Sequence, residues 1–130
     1  MNCPECGTET VVFTVDPDLR ECLPGEEPGA ALCPRCLAVR PAADPPTGDP
    51  DFSQLGDAFP SNVEAGVPMA LLLGLLSSLA LYREEIAALL ERVERAGTDP
   101  LLVIDRLAGD PSIDSDVDLG RRRHQLEQLL

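Results

Sequence analysis

Two cysteine pairs, Cys3-Pro4-Glu5-Cys6 and Cys33-Pro34-Arg35-Cys36, are the residues of this chain best placed to do chemistry, and the chemistry is metal binding. Two thiolates held two residues apart on a tight turn supply half of a tetrahedral shell, and a second such turn completes the four ligands that Zn2+ favours. Pro4 and Pro34 fix φ near the start of each turn. Gly7, after Cys6, is free to take the positive φ that turns backbone N–H groups toward the sulfurs, whereas Leu37, after Cys36, does so only at a steric cost. Four thiolates leave no open position for water or substrate, so the expected role of Cys3, Cys6, Cys33 and Cys36 is structural and the chain is expected not to be an enzyme.

Two other uses of these cysteines are disfavoured. Nothing at the start of the chain reads as a secretory signal, so a cytoplasmic setting is expected, and disulfides rarely persist there. A thioredoxin-like dithiol needs a strand before the motif and a helix after it, and Met1 stands too close to Cys3 for that strand. Cys22 is left over in the stretch Arg20-Glu21-Cys22-Leu23-Pro24-Gly25-Glu26-Glu27, where carboxylates raise its pKa; an inert, half-buried thiol is expected, not a fifth ligand.

The elements that must position the four cysteines are legible in outline. Thr10-Val11-Val12-Phe13-Thr14-Val15 is β-branched and aromatic, and Ala30-Ala31-Leu32 leads into the second turn, so residues 1–40 read as a zinc ribbon built on a short β-hairpin. That segment has few large side chains, and metal binding is expected to supply most of its folding free energy, about 10–16 kcal/mol by analogy with zinc-finger peptides. Residues 41–60 read as a linker: Arg40 to Pro50 is rich in proline and aspartate, and Phe52, Leu55 and Phe59 then anchor the chain on a helix.

Residues 61–130 carry nearly all the leucines. The uncharged run from Ala65 to Tyr82 has the length of a membrane span, but Gly66, Pro68, Gly74, Ser77 and Ser78 interrupt it and no aromatic belt flanks it. Leu72, Leu75, Leu79, Tyr82, Ile86, Leu89, Val93 and Ala96 instead step by three and four, the spacing of one helical stripe. Leu71, Leu73, Leu76, Leu81 and Leu90 lie off that stripe, so the segment needs cover on several sides, from its own bundle or from a second copy. Ser77-Ser78 leaves open whether this is one helix or two. Gly97 suits a helix stop, Asp99 a cap and Pro100 a first helical position, with Leu101, Leu102, Ile104 and Leu107 on the buried side and Gly109-Asp110-Pro111 at the end. Asp118 then caps a last helix edged by Leu126, Leu129 and Leu130. The fold class expected is α+β: an N-terminal zinc ribbon followed by a small all-helical bundle.

Charge narrows the partners. Against 23 Asp plus Glu stand 10 basic residues, all arginine, for a formal net charge of -13 over 130 residues. Carboxylates scattered over loops and helices, without lysine, suit a protein that stays soluble in concentrated salt better than a single acidic docking face. Arg121-Arg122-Arg123-His124 is the basic run where nucleic acid would bind, but Asp114, Asp116 and Asp118 are expected to pair with it. Those aspartates do not form a calcium loop, because Leu119 and Gln125 occupy the places of the required glycine and glutamate. His124 has no partner suited to general-base catalysis and is expected at a helix surface.

Taken together, the Cys-Pro-Glu-Cys-Gly opening, the Cys-Pro-Arg-Cys pair, Asp99-Pro100-Leu101-Leu102 with Asp105-Arg106-Leu107, and the ending Arg122 to Leu130 resemble a family of small uncharacterised haloarchaeal CPxCG-type zinc-binding proteins of unknown function. The resemblance spans nearly the whole chain and implies a zinc ribbon joined to a helical region, with a ligand role for Cys3, Cys6, Cys33 and Cys36. It implies no activity. The function expected is that of a non-enzymatic adaptor with a structural zinc, engaging a protein partner or a second copy through its helices; the alternative is a nucleic-acid-associated ribbon in transcription or translation.

Overall fold

Among the described residues, three short strands and four α-helices share one hydrophobic core. The computed structural model describes residues 2–23 and 27–129. Strands β1 (Val11–Thr14), β2 (Gly29–Leu32) and β3 (Val39–Ala42) form an antiparallel meander in the order β1-β2-β3. Val11 faces Leu32 and Thr14 faces Gly29 in the first pair; Leu32 faces Val39 and Gly29 faces Ala42 in the second. The expected hairpin therefore gains a third strand. Arg40, Pro41 and Ala42, expected at the start of the connector, belong to it. Pro41 is tolerated because β3 lies at the sheet edge, where a missing N–H breaks no ladder on the outer side.

The helices are α1 (Val63–Leu75), α2 (Arg83–Arg95), α3 (Pro100–Ala108) and α4 (Leu119–Glu127). The 65–96 segment is thus two helices, broken by a 3-10 turn at Leu76–Ser78 and the turn after it. Of the expected stripe, Leu72 and Leu75 are buried on α1 and Ile86, Leu89 and Val93 on α2, and the two helices pack together. α1 is buried almost all round, and its cover comes from within the chain: α2, the sheet and the anchoring segment. Phe52 and Phe59 meet at a tilt with centroids 4.9 Å apart, and Phe52 meets Phe13 of β1 at 5.6 Å.

The glycines that spoil α1 as a membrane span are what let it lie so close. A Cβ on Gly66 would come within 2.7 Å of the Phe52 ring, and one on Gly74 within 2.6 Å of Val39 Cβ in β3. Among the described residues no helix is long and apolar enough to cross a membrane.

The remaining helix signals act where their chemistry places them. Gly97, at φ 91°, follows the end of α2; the Asp99 carboxylate accepts from the N–H groups of Leu101 and Leu102; Asp118 accepts from Arg121 N–H. On α3 the buried side is Pro100, Val103, Ile104 and Leu107, while Leu102, expected inside, is 44% exposed. Pro100, Val103, Ile104 and Leu107 fall at i, i+3, i+4 and i+7 of one helix face, so Val103 takes the inward position and Leu102 does not. Leu126 is buried on α4 and Leu129 packs against the core, whereas Leu130 lies outside the described residues, as do Pro24, Gly25 and Glu26 of the acidic stretch around Cys22.

Candidate metal centre

Each C-x-x-C closes into the same turn. Gly7 N–H donates to Cys3 O at 2.8 Å and Leu37 N–H to Cys33 O at 2.9 Å; Cys3 N–H donates to Thr8 O at 2.8 Å and Cys33 N–H to Ala38 O at 2.9 Å. The geometry demands positive φ at the residue after the second cysteine, and both residues adopt it: Gly7 at 70° and Leu37 at 63°. For a leucine this conformation costs roughly 1–2 kcal/mol. Burial of the Leu37 side chain, only 4% exposed in the core, offsets it by about 1.5–3 kcal/mol.

The two turns face each other, and their four sulfurs converge. Cys6 Sγ lies 3.2 Å from Cys33 Sγ and Cys3 Sγ lies 3.8 Å from Cys36 Sγ; all four sulfurs fall within 4.8 Å of one another. A tetrahedron with Zn–S bonds of about 2.3 Å has S···S edges of roughly 3.8 Å. The cluster therefore has the size a four-thiolate metal site requires. The five cysteines are free thiols. Neither pair opens a helix, as a thioredoxin-like dithiol would need; α1 begins only at Val63.

Protonation points the same way. The Cys6 thiol is drawn down to about 6, chiefly by its hydrogen bond with Cys33 and then by Thr8. Burial raises Cys33 and pushes Cys36 up to about 12. Four sulfurs this close cannot all carry negative charge unless a cation compensates them. A divalent ion at the centre supplies that compensation.

The surroundings are asymmetric. A cavity of about 150 Å3 flanks Cys36, walled by Glu5, Ala38, Gly74 and Ser77 together with the Ser115–Leu119 segment. The amide of Asp114 donates to Arg35 O at 2.7 Å, tying the α3–α4 connection to the second knuckle. Sequence alone gave no sign of this tie, because it joins backbone groups far apart in the chain. Cys22 stays outside the cluster, buried at the end of the 3-10 turn Pro17–Cys22. Its thiol is pushed up to about 11, first by burial and then by Glu21 and Glu85, so desolvation outweighs either glutamate taken singly.

The arginine run finds partners other than those expected. Arg123 pairs with Asp105 of α3 at 2.6 Å and with Glu127, and Arg122 donates to Gln125 at 2.9 Å. Asp118 accepts from the Arg121 N–H as the helix cap. His124 is exposed on α4.

Fold and site together define an α+β protein whose zinc-ribbon-like start carries a four-cysteine cluster. The family model described as "Family of unknown function (DUF6276)" matches residues 2–130, and the chain belongs to that family. No curated protein and no solved structure matches it.

Proposed function

We propose that this chain is a non-enzymatic adaptor in which Cys3, Cys6, Cys33 and Cys36 hold one structural Zn2+, working in a salt-adapted cytoplasm and engaging a protein partner or a second copy through its helical region. The observation that carries the metal reading is the convergence of four sulfurs within 4.8 Å. Soft thiolate donors in a set of four select zinc over calcium or magnesium and leave no site for a reacting water.

Support for a non-catalytic role comes from the clefts. The groove of about 420 Å3 between the 3-10 turn at residues 17–22 and the α1–α2 pair is lined by Arg92 and Arg95, each ion-paired, with Asp18 and Glu91 respectively. Apolar purchase for a partner is narrower than the leucine content suggests, since α1 is covered internally; Leu81, 81% exposed, and Leu102 are the large apolar groups left outside among the described residues. The nucleic-acid alternative loses much of its motive, because Arg122 and Arg123 are engaged within the chain and the net charge is acidic.

Native mass spectrometry of the protein purified without added metal tests the reading. One zinc per chain is expected, together with loss of that zinc when the cysteines are alkylated. A chain that carries no metal and gains none from equimolar zinc overturns it.

A further inference from the structure

Resting on the metal-binding reading above, the geometry points to a division of labour between the knuckles: Cys33 and Cys36 form a preorganised half-site that captures the cation first, and the Cys3–Cys6 knuckle is a clasp that closes over it and opens when it leaves.

The second knuckle is built into the fold. It connects β2, all four of whose residues are buried, to β3, which packs against α1. Leu37 pins it to the core despite its left-handed backbone, and Asp114 N–H holds the Arg35 carbonyl from the opposite side. Cys36 N–H approaches Cys33 Sγ at 3.4 Å, which orients that sulfur before any cation arrives. Each of these restraints persists without metal.

The first knuckle is held differently. The Cys3–Thr8 and Gly7–Cys3 hydrogen bonds and the Asn2–Glu9 bridge are all internal to residues 2–9. Pro4, Glu5, Gly7 and Glu9 are exposed, and a Cβ on Gly7 would meet nothing within 4 Å. One tie from it to the sheet is the Arg40–Glu5 ion pair at 3.5 Å, between side chains well open to solvent, a contact of little energetic weight. What brings this knuckle to the other is the meeting of Cys3 with Cys36 and of Cys6 with Cys33. Cys3 is itself buried and Cys6 half-buried, but the connected hydrophobic cluster begins at Val11, so the clasp can open while the sheet and helices stay folded, against the expectation that metal supplies most of the folding free energy of residues 1–40.

Hydrogen–deuterium exchange on the intact chain, zinc-loaded and after EDTA, tests the order. Removal of the metal is expected to speed exchange in residues 2–9 about tenfold or more, while residues 31–37, α1 and α2 exchange at nearly unchanged rates. Loss of protection in all of them together, or in none, overturns the proposal. A second arm uses Co2+ as the probe, read by its thiolate charge-transfer band. Cys3→Ser/Cys6→Ser is expected to retain a weakened two-thiolate band with full helical circular dichroism; Cys33→Ser/Cys36→Ser is expected to lose the band at the same cobalt concentration. The reverse pattern overturns the division of labour while leaving the metal site standing. A wild-type chain that gives no band at all removes the metal site itself.

Discussion

Cys22 and the cluster cysteines carry the same group and meet opposite fates, because the cluster sulfurs face one another while Cys22 faces apolar side chains and acid. Its thiol is displaced from 9.0 to about 11, first by burial. A raised acid pKa means that the folded state holds the proton more tightly than the unfolded chain does. Its contribution to stability is therefore complete below the unfolded value and is lost as pH rises from 9 through 11. Iodoacetamide at a pH of about 8, below the ordinary thiol range, is expected to leave Cys22 unmodified in the folded, zinc-loaded protein and to modify it once urea is added; rapid labelling of the native thiol would show that it is neither buried nor protonated. The residue types of the cluster were legible because C-x-x-C spacing is itself a geometric statement. Leu37 was legible only by half. The strain follows from the position, but the burial that offsets it depends on a core built largely from helices much later in the chain.

At the level of elements, local signals that act through their own neighbours were readable, and those that act through distant ones were not. Gly97, Asp99, Pro100 and Asp118 set helix ends by local hydrogen bonding and do so where expected. Gly66 and Gly74 looked like interruptions because the groups that need their missing Cβ, the Phe52 ring and Val39, belong to other elements. β3 was hidden for a related reason: Val39 to Ala42 contains a proline, and only its edge position makes that harmless. Gly74→Ala separates the two influences. Helix propensity favours alanine by about 1 kcal/mol, whereas a Cβ placed 2.6 Å from Val39 Cβ forces overpacking that costs about 1–3 kcal/mol. A net loss of stability is expected in urea unfolding, and Val39→Ala in the same chain is expected to restore part of it, giving a coupling energy of about 0.5 kcal/mol or more in the double-mutant cycle. A stabilised single variant would mean that α1 and β3 are further apart than the close approach requires.

For the whole molecule the decisive quantity is charge, since no polar or charged residue is buried among the described residues and the carboxylates must be solvated at or near the surface. Residues 41–82 carry Asp44, Asp49, Asp51, Asp57 and Glu64 without a single arginine, so that stretch repels itself. The ion pairs Arg92–Asp18 and Arg40–Glu5 involve substantially exposed side chains and contribute little. Salt weakens both the pairs and the repulsion. With a net charge of -13 the repulsive interactions outnumber the attractive ones, and raising KCl from about 0.1 M to about 1 M, which shortens the Debye length from about 10 Å to about 3 Å, is expected to raise the urea midpoint. Salt also strengthens apolar burial, so the charge effect is isolated by neutralising four exposed carboxylates, Asp44→Asn, Asp49→Asn, Asp57→Asn and Glu64→Gln. That variant should be more stable than the parent at low salt and should gain less from added KCl. Equal salt slopes for the two chains, or a parent whose midpoint is flat across the range, would show that its acidity is unrelated to its tolerance of salt.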